Sequence, residues 1–509
     1  MIRRWSGLVL AALVFVGLPA SAQKALAPGG SFLDDDHLPA EPSIEALHAN
    51  QITAGCGPEI FCPDRAVTRA ESATFLTRAM GLGPSGGSPP FADLAPAAWY
   101  SGYVTRLHDL GVVAGYPDGT FRPEAAITRA EMAALLVRGL GLDPLEASGS
   151  FSDVATNDWY SPFVEALAAA GITAGCGNGQ FCPADLVLRQ HMALFLVRAF
   201  DLIPIIPPAR YAPLNGLPVP DGFAVRRRVI AVKIDNAAGA RPQSGIERAD
   251  GMVELPVEGE LTRLIGLFHQ SDSGYVGPVR SARPTDELLV SLGATAAISG
   301  AQPWIADQVA AQGLRIIREN QVRPPIMFRI STRVAPYNLY TSTLELRGEA
   351  DRRGYADNPP PDLFRYGAFA YDRAPAASTI LMSWSDPIQV TWRWDGGRYV
   401  RSMAGAVHSW RDQAGMTAQI AATNLIVIYG RRYLVTPPTG VSGSPVPAIE
   451  TIGSGRMLLF SHGRVVEGTW TRPDNTTWFS FQVGGSELVV PPGVPWISIF
   501  PEDRPVTWS

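Results

Sequence analysis

The feature that most constrains this chain is an internal repeat with an offset of sixty residues. Residues 91–142, which begin "FADLAPAAWYSGYV", align without a gap with residues 151–202. A third, degenerate copy begins at Phe32, is one residue shorter before its first helix, and lacks the Trp-Tyr pair found at Trp99 and Trp159 in the other copies. Repeats of this length are typical of stacked supersecondary units, so we expect one module built from three similar parts.

Each copy predicts a helix, a glycine-rich loop and a second helix. In the middle copy, Tyr103, Leu107 and Leu110 lie at helical spacing, "GYPDG" has turn chemistry, and a second apolar face follows. Neither face can be buried within so small a unit. We therefore predict an all-α bundle in which the three copies pack on one another.

The second helix of each copy begins with a recognisable tetrapeptide. "TRAE" occupies Thr68–Glu71 and again Thr128–Glu131. A threonine three residues before a glutamate is a capping box, and an arginine at a helix N-terminus also suits an anionic ligand. The third copy reads "LRQH" at Leu188–His191 and keeps only Arg189 of the motif, which favours a role for the arginine beyond capping.

All the cysteines of the chain lie in two C-x5-C loops, in the first and third copies: Cys56 and Cys62, and Cys176 and Cys182. In the middle copy Tyr116 and Arg122 replace both cysteines, as expected if the two positions touch and a tyrosine-arginine stack substitutes for the bond. A disulfide is the expected state in an exported protein, and the repeat favours pairing within each loop. Zinc would need closer spacing and more ligands, of which His191 is the only nearby candidate.

The N-terminus predicts export. Arg3 and Arg4 precede an apolar run, and the small residues of "ASAQ" suit cleavage before Gln23, which is typical of a signal peptide over residues 1–22. No other stretch reaches the roughly 18 to 20 apolar residues of a membrane span, so none is expected after cleavage. A net charge of -5 argues against nucleic acid as a partner.

The F-x-D opening, the W-Y pair, "GYPDGTFRP" and "ITRAE" recur in order and resemble S-layer homology (SLH) domains. The repeats would span residues 31–87, 88–147 and 148–203. The resemblance implies grooves between repeats that bind secondary cell-wall polysaccharide or a peptidoglycan-linked polymer, often bearing acidic ketal-pyruvate groups, in the cell wall or S-layer. The polymer-binding residues that it implies are Arg69, Glu71, Trp99, Asp118, Arg129, Glu131, Trp159 and Arg189. Since the first copy lacks the tryptophan and the third lacks "TRAE", unequal grooves are expected.

The pattern changes in the second half of the chain. Residues 204–216 are rich in proline and glycine and predict a linker. Residues 217–350 mix strand-like and helical segments, which predicts an α/β or α+β region in which residues 275–294 form a strand entering a helix. Residues 362–509 predict a β-rich part continuous with, or packed on, the preceding one, and Asp395-Gly396-Gly397 is a hairpin signal.

A candidate ligand cluster follows from the polar residues near the predicted strand ends of this half. Three arginines with carboxylates could bind a phosphate, a carboxylate or an acidic sugar, or could form a buried salt-bridge network. No motif of the G-x-S-x-G, H-E-x-x-H or S-x-x-K type is present, and His269, His408 and His462 have no metal-ligand spacing. The cluster consists of Asp235, Asn236, Arg241, Glu258, Arg263, Arg280, Arg283 and Asp286.

Residues 214–505 resemble the YerB-like family of bacterial surface lipoproteins. The phrases "IDNAAGARPQSGIERADGMVE", "VEGELTRLIGLF", "GPVRSARP", "RVAPYNLYTS" and "RYVRSMAGAVH" carry the resemblance. The family implies a two-part domain without an assigned activity or catalytic residues. It is typically lipid-anchored, whereas this chain has no lipid-attachment cysteine and has wall-binding repeats instead.

These features predict an exported cell-surface protein that is fastened to wall polymer by its repeats and displays a YerB-like domain for an envelope glycan or protein partner. The alternative is an enzyme acting on wall glycopolymer by phosphoryl or glycosyl chemistry, and only this alternative calls for a cofactor, a divalent cation. A purely structural surface-layer role fits less well, because many arginines and carboxylates inside a mixed domain are unlike a lattice filler.

Overall fold

The computed structural model describes residues 30–36, 38–207, 210–219 and 225–509. The predicted signal peptide lies outside the described residues. Among the helices in the described ranges, none is long and apolar enough to cross a membrane.

Six α-helices build the N-terminal region: α1 (Glu41–Ala49), α2 (Arg69–Ala79), α3 (Ser101–Asp109), α4 (Arg129–Leu140), α5 (Ser161–Ala169) and α6 (Arg189–Ala199). Helices pack mainly across copy boundaries, α2 on α3, α4 on α5, and α6 back on α1. One hydrophobic core runs through all three copies, from Phe32 to Val197. The chain therefore closes on itself, and each copy completes the core of its neighbour.

Short backbone contacts tie the copies together just before each second helix. Isolated β-bridges join Ala66 to Leu188, Thr68 to Ala126 and Thr128 to Leu186. The capping boxes predicted at α2 and α4 are confirmed, since each threonine accepts a bond from the glutamate N–H and each glutamate accepts one in return. The N-terminus of α6 has no side-chain cap.

The F-x-D aspartates hold the glycine-rich loops, because each accepts bonds from two consecutive backbone N–H groups. Asp34 binds the amides of Phe61 and Cys62 at 2.7 Å, and Asp93 and Asp153 repeat this in their own copies. The second amide belongs in every copy to a residue with positive φ, which needs such support because its side chain disfavours that conformation. The motif aspartate is therefore a loop clamp.

Both predicted disulfides are confirmed: Cys56 bonds Cys62, and Cys176 bonds Cys182, each with Cα atoms 6.1 Å apart. In the middle copy the Arg122 guanidinium lies 3.9 Å from the centroid of the Tyr116 ring. The predicted stack therefore occupies the place of the disulfide.

The second half is built around one sheet of eleven strands, in the order β22-β21-β20-β19-β16-β24-β2-β3-β1-β4-β5. Its strands are β1 (Ile230–Asp235), β2 (Gly251–Pro256), β3 (Thr262–Phe268), β4 (Thr295–Ile298), β5 (Arg315–Arg318), β16 (Asn424–Gly430), β19 (Gly453–Ser461), β20 (Arg464–Arg472), β21 (Ser480–Val483), β22 (Ser486–Glu487) and β24 (Pro495–Pro501). Parallel pairing of β2 with β24 joins residues from both predicted parts, so these parts are continuous.

A second sheet contains β9 (Thr379–Ser383), β10 (Gln389–Trp394), β11 (Tyr399–Met403), β12 (Ala406–Val407), β15 (Ala421–Ala422) and β25 (Val506–Trp508). The predicted hairpin is confirmed, since Trp394 of β10 pairs with Tyr399 of β11. The remaining strands form two-stranded pairs: β6 (Met327–Arg329) with β7 (Leu339–Thr341), β8 (Arg365–Tyr366) with β23 (Val489–Val490), β13 (Ser409–Arg411) with β14 (Thr417–Gln419), and β17 (Arg432–Val435) with β18 (Val446–Ile449).

Helices are few in the described part of this half. They are α7 (Pro303–Ala311), α8 (Thr343–Arg352) and the 3-10 helices Ala238–Ala240, Ile246–Arg248, Pro284–Leu292 and Glu319–Gln321. The predicted strand and helix over 275–294 are only partly right, because isolated bridges at Val276 and Val279 and a 3-10 helix replace them. Pro278 lacks the N–H that a continuous ladder would use.

The strand β1 positions the polar cluster. It is antiparallel to β3 and parallel to β4, and its fully buried side chains alternate between two cores on the two faces of the sheet. Lys233 and Asp235 point to the same face because they are two residues apart. The carboxyl ends of β1 and β4 lie at one edge of the sheet, which is where open α/β sheets bind ligands.

Candidate functional site

The three motif arginines bridge neighbouring copies. Each Nε donates to the carbonyl oxygen of a loop phenylalanine in another copy, and each guanidinium lies over that phenylalanine ring at 4.7 to 4.8 Å. The pairs are Arg69 with Phe121, Arg129 with Phe181, and Arg189 with Phe61. These arginines are mostly or fully buried and hold the ring of copies together.

The acid partner of these arginines is present at two boundaries and missing at the third. Arg69 pairs with Glu131, and Arg189 pairs with Glu71, each at 3.0 Å. At the third boundary His191 stands where the glutamate would be, so Nη1 of Arg129 has no acid partner among the described residues. The buried Nη2 of Arg129 is also without a hydrogen-bond partner, as is that of Arg189. Burial and the charge of Arg129 lower the pKa of His191, and burial lowers the pKa of Arg129.

A groove of about 220 Å³ lies at the boundary that joins all three copies around Arg69. We call it the Trp159 groove; it is lined by Arg69, Tyr116, Glu131, Arg138 and Trp159, among others. Trp159 is 59% exposed, and the exposed Arg138 lies over the Phe163 ring without a hydrogen bond to any described residue. The groove thus offers an aromatic face beside an unpaired cation.

The other two boundaries follow by the repeat. The residues that correspond by the repeat at the second boundary, which we call the Trp99 groove, are Arg189, Glu71, Arg78 and Trp99, whose side chain is 61% exposed. Here Arg78 donates to the Ile52 carbonyl and the Tyr103 hydroxyl. The His191 groove consists of Arg129, His191 and Arg198, and Pro39 takes the place of the tryptophan immediately before the N-cap of α1.

Asp118 does not line the Trp159 groove. It lies at the loop tip, accepts a bond from the Thr120 hydroxyl, pairs with Arg122 and accepts a bond from the Thr120 amide, and these contacts lower its pKa to about 2. Arg138 and its equivalents Arg78 and Arg198 are absent from the residues predicted from the sequence, although their sixty-residue spacing is visible in the repeat.

Six of the eight residues of the predicted ligand cluster come together at the carboxyl edge of the large sheet. Arg280 binds Asp235 at 2.6 Å, Arg283 binds Glu258, and Asp286 binds the buried Lys233. Arg263 has no acid of its own: its Nη1 donates to the Ser281 carbonyl at 2.9 Å, and its buried Nε has no partner. We call these six residues with Lys233 the edge cluster.

The charges of the edge cluster do not balance. Four cations, Lys233 and the three arginines, face three carboxylates, which leaves one positive charge in excess. Burial, followed by the charge of Arg283, lowers the pKa of Arg263 to about 10. Burial lowers the pKa of Lys233 to about 8 against the raising effect of Asp286. The arrangement is a salt-bridge network that has unused cationic capacity.

Asn236 and Arg241, which were predicted in the same cluster, make their hydrogen bonds beside it. Both belong to a neighbouring buried network because the chain turns away after β1: Arg241 donates to the Asn236 carbonyl oxygen, and the Asn236 amide donates to Thr262. The Thr262 hydroxyl in turn binds Glu254.

The centre of that network joins the two parts of the domain. Glu254 on β2 and Arg401 on β11 are fully buried and make two bonds of 2.8 Å, with Trp496 as a further donor to Glu254. His408 accepts from Arg401, and burial with the nearby arginine lowers its pKa to about 2. Sequence reasoning missed Glu254, although "RYVRSMAGAVH" contains its partner Arg401 and His408.

A cavity of about 1040 Å³ lies beside the strand β8. Its walls combine aromatic and ionisable side chains, with Phe369 stacked on His462 at a ring separation of 4.7 Å. Others in its lining are Arg210, Asp362, Phe364, Arg365 and Tyr366. Among the described residues there is no group of three histidine, cysteine or acidic side chains that could hold a metal ion.

Comparison with known protein families agrees with these two halves. The S-layer homology domain model matches residues 90–133 and 150–193. Two models described as the N-terminal and C-terminal domains of a protein of unknown function, DUF3048, match residues 214–356 and 380–497. A putative lipoprotein YerB of Bacillus subtilis is 26% identical over 315 residues, covering 59% of this chain and 89% of that protein. The chain combines S-layer homology repeats with a YerB-like domain.

The crystal structure of YerB from Bacillus subtilis has the same fold, with a TM-score of 0.51 and 24% identity, over 58% of this chain and 99% of that one. Cell surface glycoprotein 1 of Acetivibrio thermocellus is 30% identical over 171 residues, which are 31% of this chain. This chain spans only 7% of that glycoprotein. The SLH matches make the chain a cell-surface or cell-wall protein, and SLH domains bind cell-wall polymers.

Proposed function

We propose that this chain fastens itself non-covalently to an acidic secondary cell-wall polysaccharide through the Trp159 and Trp99 grooves, and that it displays the YerB-like domain at the cell surface. The observation that carries the proposal is the Trp159 groove, where an exposed indole lies beside the unpaired guanidinium of Arg138. The first copy, residues 31–87, acts as a third repeat that closes the ring.

Two groups in the Trp159 groove remain available to a ligand, an indole face and a guanidinium. An indole that stays exposed presents an apolar face on which a sugar ring can stack. Arg69 is neutralised by Glu131, so the cation available to an acidic sugar substituent is Arg138. Arg69 itself is proposed to support the site by holding the loop of the neighbouring copy.

Wall anchoring is tested by co-sedimentation of the full chain with isolated wall sacculi. We expect retention that is lost when the accessory polymer is stripped, and that falls about tenfold in a Trp99→Ala, Trp159→Ala double variant. Arg456→Gln is the matched control, because it removes an exposed, paired arginine far along the chain. Undiminished retention on stripped walls would contradict the proposal.

We further propose that the YerB-like half binds an envelope glycan in the cavity beside β8. Aromatic rings for stacking and Arg365, Asp362 and His462 for hydrogen bonds support this. Phe369→Ala should abolish retention of the chain on immobilised envelope glycan when the SLH grooves are disabled by the double variant. Leu434→Ala, which removes an exposed side chain elsewhere, should leave that retention unchanged.

A further inference from the structure

The edge cluster lies against a turn whose backbone donors are free. The Ser299 amide donates to the Arg280 carbonyl, so the segments 280–283 and 299–302 run side by side. A Cβ added at Gly300 would lie 3.4 Å from Ser281 Oγ. The carbonyl of Ser281 already receives the bond from Arg263. Ser281 is therefore in contact with both the arginine and the turn.

The turn itself has an unusual backbone. Gly300 has φ +70° and the following Ala301 has φ +139°, a region that residues with a side chain seldom adopt. Within the described chain, no group accepts a hydrogen bond from the N–H of Gly300 or Ala301, and none binds the Ser281 hydroxyl. Successive backbone N–H groups in a turn can donate together to an anion.

The arginines of the edge cluster leave further donors without a bond. Arg280 uses only Nε, toward Asp235, keeps 24% of its side chain exposed and lies 5.6 Å from the Tyr337 ring centroid. Arg283 uses Nε and Nη1, and Arg263 uses Nη1 alone. Because each arginine is fixed by a bond at one end, its free N–H groups are held in place for a ligand.

From this juxtaposition we propose that the edge cluster, Ser281 and the Gly300–Ala301 turn form a binding site for a phosphate group. This site shares no residue with the proposed glycan cavity and does not depend on it. The oxygens of a tetrahedral phosphate accept hydrogen bonds from several directions, and the arginines and the backbone N–H groups near Ser281 would donate them. Near neutral pH a phosphomonoester or inorganic phosphate carries about -1.5 to -2 charges and a phosphodiester about -1, so either has the sign that complements the one excess positive charge of the cluster.

The test is isothermal titration of the full chain with inorganic phosphate and, separately, with a short poly(glycerol phosphate). We expect saturable binding of phosphate at constant ionic strength that chloride does not reproduce. Arg263→Gln and Ser281→Asp should each weaken it at least tenfold, the second by placing a competing carboxylate at the site without breaking an ion pair. Arg456→Gln should leave it unchanged.

The two probes distinguish the source of the phosphate. Tighter binding of the oligomer identifies a polymer-borne phosphate, and equal binding per phosphate identifies the free anion. Binding that chloride reproduces, or that Arg456→Gln weakens as much as Ser281→Asp, would overturn the site. No wall is present in this titration, so the absence of phosphate binding would not affect the anchoring proposal. A chain that fails to co-sediment with walls would likewise not affect the phosphate-site proposal.

Discussion

The first and second copies of the repeat share the loop clamp, and two of the positions at which they differ are a core position and a ligand-facing one. Asp34 and Asp93 clamp their loops with the same two bonds, which fixes the alignment of the following residue. That residue is Leu94 in the second copy, a core side chain, and Asp35 in the first. Asp35 is fully buried, and no described residue hydrogen-bonds to either of its oxygens.

The second difference lies on the surface, where Pro39 in the first copy replaces the exposed Trp99 of the second. What the two copies keep in common is the residue that satisfies backbone amides, while core and ligand-facing residues have diverged. Backbone donors that lose their partner cost free energy in any sequence, so the clamp is retained where the ring must still close. Closure of the ring and ligand binding therefore depend on different residues.

The largest expected effect is that of Asp35→Leu, which gives the first copy the core of the second. Burial raises the pKa of Asp35 to about 8, with a smaller contribution from Glu45. The folded chain keeps this proton while the unfolded chain releases it above pH 4, so the cost of Asp35 grows from pH 4 to pH 8. The variant should gain up to about 5 kcal/mol in unfolding free energy at pH 8 and much less at pH 4.

Urea unfolding followed by the helical circular dichroism signal at both pH values measures this gain. Leu94→Asp is the mirror variant and should lose stability with the same pH dependence. A gain in Asp35→Leu that is equal at pH 4 and pH 8 would show that Asp35 is not the protonated buried acid described here.

The next effect concerns the loop closures. Replacing Cys56 and Cys62 together by serine should lower the unfolding free energy by about 2 kcal/mol, since the bond closes a short ring. In the middle copy, Tyr116→Ala should cost about 1 kcal/mol, because it removes a cation-π contact and a bond to Glu131. Hydrogen exchange of each loop in the full chain measures both, and a larger cost for Tyr116→Ala would reverse the ranking.

The smallest effect restores the missing acid of the His191 groove. His191→Glu should pair with Arg129 and complete the bonding at the N-terminus of α6, raising the opening free energy of that helix by about 1 kcal/mol. Glu131→His makes the opposite change at α4, because it removes the acid partner of Arg69. It should raise the rate of amide hydrogen exchange in α4. Protection of α6 unchanged by His191→Glu would mean that Arg129 needs no partner.

Repeats, capping boxes, disulfides and the hairpin were predictable because each depends on local spacing. The repeat frame also contained Arg138 and the odd acid Asp35, but showing that one is free and the other buried required the packing of copies on one another. In the second half, the network of Glu254 and Arg401 joins residues 147 positions apart, so no local pattern could reveal it. The edge cluster was predicted only in part. Asn236 follows Asp235 directly in the sequence, but the chain turns after β1, so Asn236 makes its contacts in the neighbouring network.

The binding stoichiometry tests directly whether two of the three grooves bind wall polymer. It is measured by isothermal titration as the number of purified polymer repeat units bound per chain. We predict two sites in the native chain, one after Trp159→Ala, and none after Trp99→Ala is added. Three sites in the native chain, or two that persist in the double variant, would contradict the account.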